Sequence, residues 1–352
     1  MKPVHVALAV VVAAVWGANF VVIDVGLRDF PPLLFSAVRF LLAALPAVFF
    51  VGRPRVAWRW VIAVGITLGI MKFGMLFIGM HVGLPPGLAS LVLQGQAVFT
   101  VLFAAALLKE RARRVQILGM VIASVGIVLA GLGSTAGTLA GFLLVVGAAA
   151  CWGLSNIAMR KAGPPDAFRF MVWVSVVPPV PLALLSVAVE GWDADLRALQ
   201  HLNLSGVGAA LYVAWGATLF GFAAWGYLLR TYDAPTVAPF SLLVPVFGLA
   251  SAWIFQGERM TVLTFCATAL VVVGIAVGML RRREKPMSPE TERTAVKAAA
   301  YEVRDKTNEP SKVRSFEGAV PFARRPPRTG RPRIKSFAIE ASALQAAGHV
   351  RG

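Results

Sequence analysis

The sequence predicts an all-α integral membrane fold: ten transmembrane helices in two inverted five-helix repeats, followed by a disordered basic C-terminal tail. Three observations predict it. Hydrophobic residues make up 58% of the 352 and charged residues only 14%, with mean hydropathy +0.73. A soluble domain is nearer to about 25% charged. Ten apolar runs are each close to the roughly 17–25 residues that carry a helix through about 30 Å of hydrocarbon. Segments of the first half recur in the second.

The runs fall at 4–27, 31–51, 57–80, 86–108, 114–132, 139–160, 168–189, 205–229, 236–256 and 260–280. Prolines punctuate them: Pro31-Pro32, Pro85-Pro86 and Pro164-Pro165 lie between runs, where helix ends are expected. Only helices and closed barrels satisfy their backbone in lipid, and runs of this length exclude strands. The first run begins after Lys2 but exceeds a signal-peptide core and lacks an A-x-A site, so it is read as a retained span. From residue 284 onward the composition changes abruptly. FARRPPRTGRPRIK, within 284–352, is basic, Pro-rich and without apolar periodicity, as in disordered segments.

The net charge of +17 does not indicate nucleic acid. Most of it, +11, lies within 1–283, in short gaps between apolar runs, and no nucleic-acid-reading motif accompanies it. With the N-terminus inside, one face collects Lys2, Arg53, Arg55, Arg59, the Lys109–Arg114 cluster, Arg160, Lys161, Arg169, Arg230 and Arg281 to Arg283. The other face holds only Arg28, Arg197 and Arg259, and the 190–204 loop there is acidic. That asymmetry places both termini in the cytoplasm.

AVWG at 14–17 matches ACWG at 150–153, and LLKER at 107–111 matches IFQGER at 254–259. The two offsets, 136 and 148 residues, differ by about the length of the acidic loop. The halves are therefore 4–137 and 138–281, the second carrying one longer loop. Five spans per half is an odd number, so the second copy is inserted upside down. Inverted repeats about the membrane midplane are an architecture of secondary transporters.

WGANF, LPPGLASLVLQGQAVFTVLFAAALLKER and VAPFSLLVPVFGLASAWIFQGER carry a resemblance to the EamA-type branch of the drug/metabolite transporter superfamily. Within that branch they look most like bacterial exporters of O-acetylserine and cysteine. The resemblance covers about 4–280 and implies ten spans, two repeats and export of small amino-acid-like metabolites. It brings no short signature from which site residues could be carried over, so these are read from the residues themselves.

An ionisable side chain within hydrocarbon costs about 2.5–3.5 kcal/mol on insertion scales and is a functional candidate by default. Asp24, Arg39 and Lys72 qualify. At 1.5 Å per residue, Arg39 and Lys72 fall about 12 Å below the same face. Asn19, Gln94 and Gln96 lie near that depth. Two cations with amide donors suit a substrate carboxylate, the amides orienting the rest of a zwitterion. Trp16 and Trp152, repeat-related and a dozen residues into their spans, are candidates for an apolar cavity wall. Blander roles stand beside each: Lys72 snorkelling, amides bonding neighbouring helices, tryptophans packing. Asp24 is the acid expected to couple transport to protons, or to sit solvated at its span end.

Cys151 and Cys266 lie in apolar runs, the four histidines are scattered, and no metal spacing or nucleotide loop occurs. No cofactor, metal or catalytic residue is expected. The expected partners are a small-molecule substrate, membrane lipid and a second copy in a homodimer, with no nucleic acid. Two alternatives remain open: transport of another metabolite or drug, and a non-transporting scaffold or receptor.

Overall fold

A computed structural model describes residues 1–133, 138–232, 234–259 and 261–280. The tail expected over 284–352 lies outside the described residues. Every regular element among the described residues is helical, and none is a strand. Among the described residues, nine helices are long and apolar enough to cross a membrane, and a shorter apolar one, Pro32–Val48, lies between the first and second of them. In order they are α1 (Pro3–Leu27), α2 (Pro32–Val48), α3 (Trp58–His81), α4 (Pro86–Leu108) and α5 (Arg114–Gly133). The second half contributes α6 (Leu139–Ala162), α7 (Ala167–Gln200), α8 (Leu204–Thr231), α9 (Ala238–Gln256) and α10 (Val262–Met279).

Their boundaries follow from local chemistry. Pro32 and Pro86 open α2 and α4, where a missing N–H costs nothing and the fixed φ suits a first turn. Thr138, Asp166, Asn203 and Thr261 accept N–H bonds at the starts of α6, α7, α8 and α10. Lys109 and Gly257 end α4 and α9 in the left-handed conformation, at the same place in each repeat.

The packing pattern is unchanged when the halves are exchanged. Helix α1 packs on α9 and α4 on α6; α8 packs on α1 and α3 on α6. The pairs α5·α10 and α2·α7 each join one helix to its repeat-mate. The α5·α10 seam is backbone against backbone. A Cβ on Gly119 would meet Gly274 O at 2.4 Å, and one on Gly274 would meet Ala123 N at 2.4 Å. The outward faces of these two helices, among them Leu118, Val121, Val125, Val128, Phe265 and Val273, are exposed apolar surface. Apolar patches on that scale fit lipid rather than water.

Two irregularities also repeat. Helix α3 is π-helical over Gly65–Lys72, and α8 over Tyr212–Phe220. The α4 backbone tightens to a 3-10 turn at Leu93–Gly95, and α9 does so over Ala238–Leu242. In α3 the π stretch lies where α7 crosses: Gly69 approaches Pro178 so closely that a Cβ would sit 2.1 Å from its ring.

The acidic segment expected as a 190–204 loop is largely helical. After Gly191, at φ +94°, the chain forms a helix over Trp192–Gln200. Asp193 and Asp195 in its first turn and Arg197 in its last complement the helix dipole.

Candidate functional site

Arg39 projects from the middle of α2 and is 2% exposed; Lys72 ends the π stretch of α3 and is 5% exposed. Both lie against the ring of Phe73, Arg39 Cζ at 3.8 Å and Lys72 Nζ at 3.3 Å from its centroid. These distances limit the separation of the two cations to about 7 Å. Phe40 at 4.3 Å adds a second face for Arg39, and Trp152 of α6 lies 4.8 Å from Lys72 Nζ. The nest draws side chains from α2, α3 and α6.

Its polar side is thin. Arg39 Nη2 donates to Thr218 Oγ1 at 3.0 Å, while Nε and Nη1 are buried with no partner among the described residues. Ser36 Oγ, one turn earlier on α2, is likewise buried and unpartnered. No carboxylate among the described residues forms an ion pair with Arg39 or Lys72. Burying an ion costs several kcal/mol, whereas a desolvated aromatic face returns about 2. The rings therefore hold the cations without neutralising them. A carboxylate would, and the Arg39 fork matches one bidentately.

Thr218 is positioned by the π stretch of α8. Its hydroxyl donates to Val213 O, five residues back, while accepting from Arg39. The same stretch secures neighbouring helices: Trp16 Nε1 donates to Ala217 O, Tyr212 Oη to Val15 O and Trp215 Nε1 to Leu42 O. π bulges are frequent at functional sites, and the repeat-related ones here carry Lys72 and Thr218.

The other candidates fall in different places. Trp16 packs on Phe222 and Trp225, about one and two turns along α8 from Thr218, and not on the cations' rings. Asn19 is half-buried on α1 with a buried, unpartnered Oδ1. Gln94 is buried and reaches Ser241 O at 3.5 Å. Gln96 accepts from Asn156 Nδ2 at 2.7 Å, and Asn156 also donates to Thr100, so this amide serves the α4·α6 contact. Phe73, Thr218 and Ser36 are site residues that sequence reasoning missed. An aromatic or hydroxyl residue in a span raises no energetic anomaly to find it by.

Asp24 lies at the end of α1, paired with Arg28 at 3.0 Å and accepting from Gln256 at 2.8 Å. Close by, Glu258 accepts from the first free N–H of α4, Gly87 N, at 3.1 Å. Burial pushes the Glu258 carboxyl up from its ordinary range, the Asp24 charge adds to this, and the Gly87 bond opposes it. The repeat-related position on the opposite, basic face is an ion pair between Arg160 and Glu110.

Comparison with known proteins gives a consistent result. Residues 4–132 and 139–280 each match the EamA-like transporter family. A probable amino-acid metabolite efflux pump of Salmonella typhimurium is 39% identical over 279 residues, covering 77% of this chain and 93% of that protein. A protein of the same description from Escherichia coli is 37% identical, covering 78% and 95%. One solved crystal structure, 19% identical, shares the fold with TM-score 0.57 over 81% of this chain and 99% of its own.

Proposed function

The chain belongs to the EamA-like transporter family, and from that premise we propose that it exports small amino-acid-like metabolites across a bacterial inner membrane. The class proposed is that of cysteine and O-acetylserine, moved by alternating access with both termini in the cytoplasm. The efflux-pump descriptions of the two enterobacterial relatives support an amino-acid-derived substrate. The repeat-symmetric packing supports alternating access, since exchanging the conformations of the two halves exchanges the two faces.

One observation carries the substrate reading: two buried cations share the Phe73 ring, and no acid among the described residues pairs with either. The substrate carboxylate binds Arg39, with Lys72 adding charge at close range. Phe40, Phe73 and Trp152 exclude water and take the short side chain. Asn19, whose buried Oδ1 has no partner among the described residues, is the acceptor proposed for the substrate ammonium. Proton exchange is the coupling we assign, through Asp24 and Glu258 at the far face, where opening would wet a carboxyl that closure buries.

The test is efflux of labelled O-acetylserine and cysteine from proteoliposomes, comparing intact protein with Arg39→Ala at matched amounts. Intact protein exports at least one compound, and Arg39→Ala lowers the rate about a hundredfold or more, as expected for losing a charge-assisted bond of about 3 kcal/mol. Equal rates would remove Arg39 from the site. Export of neither compound by intact protein would overturn the substrate class.

A further inference from the structure

On the face opposite the basic one, a cavity of about 780 Å³ opens between the α1–α2 turn, the end of α3 and the Trp192–Gln200 helix. Its charged and titratable lining is Arg28, Asp29, His81, Glu190, Arg197 and His201. The repeat-related corner on the basic face, between the 53–56 and 163–166 segments, encloses only about 10 Å³. The vestibule therefore belongs to the one part of the second repeat that is longer than its mate.

The lining divides by whether each group is already committed. Glu190 accepts from Leu33 N and Leu34 N at the start of α2 and from Ser186. Asp29 accepts from Asn203 and Ser205, and Arg28 is paired with Asp24. These bonds fix both acids in place and leave acceptor capacity, since a carboxylate offers about four lone-pair sites. The side chains of His81, Arg197 and His201 have no hydrogen-bond or ionic partner among the described residues, and all three line the same space. The vestibule thus combines free nitrogen donors with anchored carboxylates.

We propose that this vestibule is a second binding station for zwitterionic amino acids, with the carboxylate on Arg197 and the two histidines and the ammonium facing Asp29 and Glu190. It complements the buried nest, which presents cations alone. A solute leaving Arg39 exchanges one carboxylate partner for another and gains an acidic partner for its ammonium before reaching water. The assignment rests on the amino-acid reading of the transported solute.

The experiment uses full-length protein in nanodiscs, where both faces are accessible. Native thiols are removed by Cys151→Ser and Cys266→Ser, and Ala194→Cys supplies a reporter on the cavity wall that takes no part in binding. O-acetylserine at roughly ten times its Kd slows maleimide labelling of the reporter about tenfold. The decarboxylated amine does not protect. Protection disappears in Arg197→Gln, whose side chain is exposed and unpartnered, and persists in Arg39→Ala. Absence of protection in protein that exports O-acetylserine overturns the vestibule alone. Protection that survives Arg197→Gln, or that is lost in Arg39→Ala, also overturns it, the latter because the reporter would then be sensing the central site. Protection without any efflux keeps the station and overturns the transport reading instead.

Discussion

The two faces of this protein are built from the same repeat and are closed differently. On the basic face Arg160 and Glu110 meet as opposite charges, and the neighbouring corner is filled. On the other face Asp24 occupies the position of Arg160, so that an acid lies near Glu258, and the corresponding corner opens into the vestibule. Duplication supplies the symmetric frame, and a few substitutions with one lengthened segment give each face its own chemistry. A face held by an ion pair depends little on pH near neutrality. On the other face the raised carboxyl of Glu258 adds a dependence on pH above the ordinary carboxylate range.

The symmetric frame is the part whose loss should cost most, and to both faces equally. Gly274→Leu forces a side chain into the α5 backbone and is expected to destabilise by about 1–3 kcal/mol or more, measured as loss of thermal stability in detergent. Unchanged stability would show that the α5·α10 seam is not close-packed. Glu190→Ala acts on the far face alone. It strips the start of α2 of a charged acceptor for Leu33 N and Leu34 N, at about 2 kcal/mol, read by the same melting measurement.

Glu258→Gln sharpens the contrast further. The folded pKa of Glu258 is raised, so its contribution is fully present below the ordinary carboxylate value. It is lost as pH rises through the raised one. Stability of the intact protein should fall across that window, and the slope should flatten in Glu258→Gln while remaining unchanged in Glu110→Gln. Equal slopes in both variants would erase the difference between the faces. The smallest effect belongs to Arg160→Ala. Both partners of that pair are about half exposed, so at most about 1 kcal/mol is at stake, and less in high salt.

Much of the architecture was legible because hydropathy and charge placement are strong, additive signals over long runs. The ten crossings and two repeats follow from them. Arg39 and Lys72 were legible for a related reason: a cation in an apolar run is an energetic anomaly whatever surrounds it. Their meeting on Phe73 was not, because which face of α3 looks toward α2 depends on a π stretch that no composition signal marks. Gln94 and Gln96 had the right depth and chemistry, but depth says nothing about azimuth, and Gln96 turns to Asn156 instead. The helix at Trp192–Gln200 was read as a loop because its charges outweighed its short amphipathic pattern. The Asp-to-Arg order along it was the available clue.

The buried cation pair has a consequence for the energised membrane in which such a chain would work. A transporter that opens alternately to either side risks becoming a wire for Na⁺, K⁺ or hydronium. On the proposed route past Phe73 lie the buried cationic side chains Arg39 and Lys72, with no acid paired to either among the described residues. On that proposal small inorganic cations would meet an electrostatic barrier there, as they do at the arginine of a water-selective pore. The same charges proposed to attract a carboxylate would thereby act as electrical insulation, letting a neutral zwitterion pass where a bare cation is turned back.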